Sequence, residues 1–389
     1  MKNFFCSRLN FFYRITLIYI LCLLFLPKIS LIELLNYRQG IRFENIFGLF
    51  YCVILLFTQQ KEIKIKFNLL WCIFFYLILV NIYSTILAFD VEWIINLRVL
   101  EYIIICYAIY YSITNGLIGP TVFSSYIYIN FILSLLQYFR IIGGFASFGF
   151  LEAGHGWLQR PYGLTGGPWE LSATVILAYL CYAKLTQIKI NTLATLCAAF
   201  CVFIAGTRAN IIAFVMIFIY LNYNKLSIKL VLYLLVTTFC FFLSIETYFP
   251  DALMRAYQIF NISLIDLFNA GINIPKIIEI LGIDPSLKER FRVWTNAYLL
   301  WTSNPISFFF GIGWHNLYME SFIFRILFSF GIIGVLTFLY YCLSLDFVTI
   351  LFLLVCGLTL DLFVSAKIFC FFAFYLIISK NHSRKSASP

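Results

Sequence analysis

The chain is a succession of apolar runs, each about as long as a bilayer is thick. Residues 321–341 read SFIFRILFSFGIIGVLTFLYY, with Arg325 as the one charge in the run. A helix needs about 20 apolar residues to cross a hydrocarbon layer of about 30 Å. The runs are continuous and do not alternate, which argues for helices over barrel strands. Twelve such segments are expected: 15–35, 43–58, 67–88, 97–114, 118–140, 169–186, 190–206, 209–222, 228–247, 321–341, 345–360 and 364–379. Of the 389 residues, 63% are hydrophobic and 11% charged, against about 45–50% and about 25% in a soluble domain. Too few polar side chains exist to cover a water-soluble core, and so apolar a chain does not stay disordered. The expected fold is therefore all-α: a polytopic integral membrane bundle of about 12 transmembrane helices, forming one membrane domain over residues 1–389.

The start, MKNFFCSRLNFFYR, places Lys2, Arg8 and Arg14 ahead of an apolar run. Pro27-Lys28 follows where a signal peptide would carry small residues, so the segment reads as an uncleaved first span. The 12 cysteines include no CxxC pair and read as small hydrophobes. No internal repeat of the kind that builds inverted transporter halves is visible.

Short loops rich in Lys follow the second, sixth and eighth spans, and Lys380, Arg384 and Lys385 close the chain. Twelve crossings put all of these on the side of the N-terminus, which the positive-inside rule makes cytoplasmic. Two long stretches, 140–168 and 248–320, then face outward; the second has room for short extramembrane helices. The +10 net charge splits accordingly: the inner side holds ten Lys and three Arg, the outer side and the spans four Lys and ten Arg. A point charge is enough to set topology, whereas a guanidinium fork suits phosphate or carboxylate. Headgroup contact by snorkelling side chains is the plainer alternative for any one of these arginines.

Four patterns carry chemistry. Arg160-Pro-Tyr-Gly163 and Thr165-Gly-Gly-Pro168 precede a span, combining a cation, close backbone approach and a helix N-terminus. Gly206-Thr-Arg208-Ala-Asn210 turns one span into the next, with a charge near membrane level. Glu289-Arg290-Phe-Arg292-Val-Trp294 sets Arg290 and Trp294 on one helical face. His315-Asn-Leu-Tyr-Met-Glu320-Ser321 precedes a span containing Gly331 and Gly334. A His at a pocket rim is a proton acceptor near neutral pH, and the glycine pair reads as helix-packing contact. Each pattern also has a structural reading: a tight loop, an interfacial Arg, a membrane anchor, a hydrogen-bonded His.

In this order the patterns resemble those of the O-antigen polymerase and O-antigen ligase superfamily, multi-span bacterial inner-membrane glycosyltransferases of the GT-C type. The resemblance covers roughly residues 150–345. The ligase pattern has His-Asn nine residues before Gly-x-x-Gly. Here Glu320-Ser321 holds that spacing and His315-Asn316 lies further upstream, which favours the polymerase branch.

The resemblance implies a metal-independent transferase without cofactors. It would polymerise undecaprenyl-diphosphate-linked repeat units at the periplasmic face of the inner membrane, for O-antigen or a related surface polysaccharide. Both termini are expected in the cytoplasm. Glu320 or His315 would act as catalytic base. Arg160, Arg208, Arg290 and Arg292 would hold the substrate diphosphate, while Trp157, Tyr162, Trp294 and Trp314 would stack on sugars. Expected partners are the lipid-linked oligosaccharide, the bilayer and a chain-length regulator protein, but not nucleic acid. Three rivals stand beside this reading: a ligase acting on lipid A–core, a lipid-linked oligosaccharide flippase, and a non-catalytic assembly partner.

Overall fold

The computed structural model describes residues 2–28, 30–33, 40–58, 68–87, 89–145, 150–151, 160–186, 192–222, 285–314, 319–358, 361 and 365–387. Its described elements, in chain order, begin with α1 (Lys2–Phe25), β1 (Ser30–Glu33), β2 (Gly40–Arg42), α2 (Phe43–Thr58), α3 (Asn68–Ile86) and α4 (Ile94–Thr114). Then follow α5 (Pro120–Tyr138), β3 (Gly144–Phe145), β4 (Phe150–Leu151), α6 (Pro168–Leu185), α7 (Thr192–Ile204) and α8 (Arg208–Asn222). The last group is α9 (Pro285–Trp301), α10 (Pro305–Phe310), α11 (Phe322–Cys342), α12 (Phe347–Gly357) and α13 (Ala366–Ala387). The fold is helical, with two small antiparallel ladders, β1–β2 and β3–β4. Apart from the first, the helices at the expected apolar segments coincide closely with them; 228–247 lies outside the described residues.

The first expected segment, 15–35, needs correction. Helix α1 ends at Phe25 because Pro27 pushes the residue before it out of helical geometry. The chain then enters β1. Among the described residues of the second polar stretch, 248–320, α9 and α10 pack on α11.

The described residues form two compact units: 1–72, 97–214 and 364–389 in one, 73–96 and 215–363 in the other. In the first unit α6 is the axis. Its residues from Leu171 to Cys181 are all buried, as befits a helix apolar on every side, and α5, α7 and α13 pack around it. Gly167 and Pro168 begin it, with Pro at a first-turn position where the missing N–H costs nothing. Hydrogen bonds from Lys28, beyond α1, reach Leu164 and Glu170. Gln137, at the end of α5, binds residues 162 and 163, and Arg160 binds Ala205, just past α7. The trailing ends of α1, α5 and α7 therefore meet the leading ends of α6 and α8 at one end of this unit, as alternating up and down helices require.

In the second unit α11 is the axis. Ser321 caps its N-terminus by accepting the Phe324 N–H, and the same hydroxyl donates to the Gly357 carbonyl at the end of α12. Asn304 caps α10 through the Ser307 N–H, 2.7 Å away, and Asp346 caps α12 through Thr349. Helix α11 is broken at Gly331, whose φ is 64°. The carbonyls of Phe328 and Ser329, freed by the break, accept the N–H groups of Ile312 and Gly313 at 2.8 and 3.2 Å. Gly331 thus serves close backbone approach and a left-handed residue, in place of the helix-packing contact expected for the Gly331 and Gly334 pair.

Two helical segments, Asn96–Thr114 and Phe322–Cys342, are long and apolar enough to cross a membrane; the other apolar helices singled out among the described residues, such as Phe43–Leu55, are shorter. Large apolar side chains stand exposed on many helices, among them Leu49, Leu79, Leu97, Leu196 and Leu336. Water does not suit such a surface.

The break at Gly331 can be tested against Gly116, which has nearly the same φ, 65°. Both Gly331→Ala and Gly116→Ala carry a positive-φ backbone cost of order 1–3 kcal/mol. At Gly331 the added Cβ would also lie 2.4 Å from the Phe309 carbonyl oxygen, whereas at Gly116 nothing lies within 4 Å. Gly331→Ala should therefore lower the melting temperature in detergent by clearly more than Gly116→Ala. Equal shifts would refute the close approach.

Candidate functional site

The four sequence patterns come together in pairs. In the first unit Arg160 is 8% exposed. Its Nε donates to the Ala205 carbonyl at 2.8 Å and its Nη2 to Thr207 Oγ1 at 3.2 Å. Ala205 follows the last turn of α7, so the guanidinium sits at the negative end of that helix. Arg-Pro-Tyr-Gly and Gly-Thr-Arg-Ala are thereby joined. Gly206 makes the turn with φ 62°, and Arg208 opens α8, half-buried. Asn210, two residues on, donates to the Trp169 carbonyl and to Ser172 Oγ and ties α8 to α6.

The loop from 160 to 167 is clamped from α5. Gln137 Oε1 accepts the N–H groups of Tyr162 and Gly163 at 2.8 and 2.7 Å, and Asn130 Oδ1 accepts that of Leu164 at 3.0 Å. The Tyr162 ring is buried against Gly144, where a Cβ would come within 2.6 Å of it. It offers no open face to a sugar.

Sequence reasoning missed what lies beneath this loop. Glu170, in the first turn of α6, has no exposed surface. Its Oε2 accepts Lys28 Nζ at 2.7 Å and the Gly166 N–H at 3.0 Å, and its Oε1 accepts the Ser365 hydroxyl. Lys367 Nζ donates to the carbonyls of Leu26 and Leu164 at 2.6 and 3.0 Å. Arg42 and Glu44 make a second buried ion pair, and Asn45 donates to Glu101. The signal was present: a carboxylate one turn into an apolar helix, and a Lys at the start of the last one, are functional-site candidates by default.

In the second unit the third and fourth patterns meet. Arg290, on α9, donates from Nε to Glu320 Oε2 at 2.5 Å; both side chains are partly exposed. Glu320 has φ 45°, a left-handed conformation that costs a non-glycine residue of order 1–3 kcal/mol and is found where the surroundings impose it. Trp294 Nε1 donates to the Met319 carbonyl at 2.8 Å, and its ring packs on Phe324 with centroids 4.5 Å apart. The peptide before Glu320 is thus pinned to α9.

Arg292 turns elsewhere and pairs with Glu289 on the exposed side of the same helix. Those hydrogen bonds hold the Glu289 carboxyl below its ordinary range. Trp314 is buried, and the Arg325 guanidinium lies 4.5 Å from its ring centroid. Arg325 Nε in turn donates to Asp361 Oδ2 at 2.9 Å, both side chains almost wholly buried. Trp314 therefore offers no open face either. His315 and Trp157 lie outside the described residues. Among the described residues no group of His, Cys, Asp and Glu is arranged to hold a metal ion.

No family model matches the chain, and neither do any curated protein or solved structure.

The Lys28–Glu170 pair makes a sharp prediction. Glu170→Gln leaves an ammonium buried without its counter-charge and should cost about 3–5 kcal/mol of stability. The double variant Lys28→Met/Glu170→Gln removes both charges and should recover most of that loss in detergent unfolding. A double variant no more stable than Glu170→Gln would show that the ion pair is not the source. A second cycle, Arg290→Ala with Glu320→Ala, should give a coupling of about 1 kcal/mol, smaller in high salt because the pair is partly exposed.

Proposed function

We propose that this chain joins lipid-diphosphate-linked oligosaccharide units into a polysaccharide, as an O-antigen polymerase does. The reading places it in a bacterial inner membrane, multi-pass, with both termini in the cytoplasm and the chemistry on the outer side. The observation that carries it is the Arg290–Glu320 pair: a cation and a carboxylate in contact at the N-terminal entrance of a membrane-length helix.

Glycosyl transfer from a lipid diphosphate needs those two functions. The acceptor hydroxyl oxygen attacks the anomeric carbon. The bond from that carbon to the diphosphate oxygen breaks, and its electron pair leaves with the diphosphate. The hydroxyl proton goes to a base, a role that fits Glu320 once a phosphate draws Arg290 away from it. The developing negative charge needs fixed cations and helix N-termini. Arg290 and the start of α11 supply these in the second unit; Arg208, at the start of α8 in the first unit, is a separate candidate for holding an anion. The gathering of helix ends in the first unit supports the alternating crossings on which the orientation rests. A chain-length regulator would be a protein partner in this scheme.

The test is reconstitution in proteoliposomes with undecaprenyl-diphosphate-linked repeat units and no nucleotide sugar. A ladder of longer lipid-linked chains is expected, and Glu320→Gln should slow it by about 10²–10⁴-fold. Arg208→Ala should also abolish long chains while the protein still inserts. Product that appears only when lipid A–core is supplied would make the protein a ligase. A Glu320→Gln variant of full activity would remove the base.

A further inference from the structure

The path of residues 285–320 beside α11 has a topology that apolar runs alone do not suggest. Three contacts give its direction. Arg290 meets Glu320 before the start of α11, Trp294 packs on Phe324, and Trp301 packs on Phe328. From Arg290 to Trp301 helix α9 advances about 16 Å, and from Glu320 to Gly331 the chain of α11 advances about the same. The two helices therefore run side by side in the same direction.

Helix α10 turns the path around. A Cβ on Gly311, the residue after it, would lie 2.3 Å from the Ser329 carbonyl oxygen, and one on Gly331 would lie 2.4 Å from that of Phe309. Ile312 and Gly313 then pair with Phe328 and Ser329, and Trp314 is back beside Arg325. The tip of this hairpin thus sits beside Gly331, about 13 Å along α11 from Phe322. That is close to half of a hydrocarbon layer of about 30 Å.

We propose that residues 285–314 form a re-entrant hairpin that enters the bilayer beside α11, turns at α10 near mid-depth, and docks its exposed apolar rim on lipid acyl chains. The polarity of the hairpin follows that depth. Its outer end carries the exposed Glu289–Arg292 ion pair. Its deep end exposes Tyr298, Leu299, Ile306, Phe309 and Phe310, with Leu299 60% and Phe309 51% exposed. Irregular backbone at such a depth is stable only where protein satisfies it. Here the carbonyls of Phe310 and Phe330 both accept from the Tyr76 hydroxyl at 3.0 Å, and the Trp301 indole N–H donates to Phe308. The inference rests on α11 crossing the membrane and is independent of the proposed reaction.

Photo-crosslinking separates acyl chains from other occupants. p-Benzoylphenylalanine replaces Phe309 in one variant, Leu336 on the exposed face of α11 in a second, and Arg292 in a third. Each is purified in nanodiscs of phosphatidylethanolamine and phosphatidylglycerol, irradiated, and weighed intact by mass spectrometry. Phe309→p-benzoylphenylalanine should give phospholipid adducts at a yield comparable to that at Leu336, and several-fold above that at Arg292. A Leu336 variant that captures lipid beside a Phe309 variant that captures none, or that captures only a second protein chain, would overturn the proposal. Phe309→Cys supplies a second readout: its thiol should resist a membrane-impermeant maleimide that labels Arg292→Cys. Equal labelling of the two thiols would place the tip in water.

Discussion

A polar group that leaves water must find its partner inside the chain, and Glu170 is where this fold meets that demand most fully. Its carboxylate is wholly buried, and its two oxygens together accept from Lys28, Gly166 and Ser365. The partners come from the end of α1, the loop ahead of α6 and the start of α13. Removing a buried charge's partner costs far more than the pair itself contributes. The arrangement therefore acts less as a source of stability than as a condition on how the helices meet. The loop carrying Arg160 and Tyr162 rests directly on it, since Lys28 and Lys367 both bind the Leu164 carbonyl. Any role for Arg160 in binding anions depends on that floor.

The second unit answers the same demand with backbone. The break at Gly331 frees carbonyls in an apolar helix, and the segment after α10 returns N–H groups to them. The three left-handed glycines at 311, 313 and 331 permit the approach. Glu320 is the non-glycine counterpart. It is held in a left-handed conformation by Ser321 capping α11 on one side and by the Trp294 hydrogen bond to Met319 on the other. Its side chain is thereby delivered to Arg290.

Helix positions were legible because length and continuity of apolar runs are local properties. The expected 43–58 segment is α2 from Phe43 to Thr58, and 209–222 is α8 to within a residue. The end of α1 was legible too, in Pro27, but the apolar run beyond it outweighed the proline. The site was legible only as motifs. The Arg292–Glu289 pair is local, at i,i+3 on one helix, but nothing local says that Arg160 turns its guanidinium to Ala205 and Thr207 or that Arg290 takes Glu320. Those choices are made by packing across long separations. Trp314 and Tyr162 show the same limit: an aromatic near a site reads as a stacking platform until a neighbour covers it, as Arg325 and Gly144 do here. Glu170 and Lys28 were overlooked for another reason. They lie inside runs read for hydropathy, where single charges are averaged away.

The separation in sequence between Glu170 and its partners has a biosynthetic consequence. Lys28 and Gly166 are already made when Glu170 leaves the ribosome, but Ser365 lies 195 residues further on. Lys367 lies 341 residues beyond the Leu26 carbonyl it will bind. Until α13 emerges, one Glu170 carboxylate oxygen and the Leu26 carbonyl at this end of the first unit lack the partners they will take, and the Leu164 carbonyl has only the Lys28 N–H. The half-made bundle must therefore stay wet at one end throughout its synthesis. Docking of its last helix is a drying step, in which the Ser365 and Lys367 side chains take the place of solvent on these acceptors.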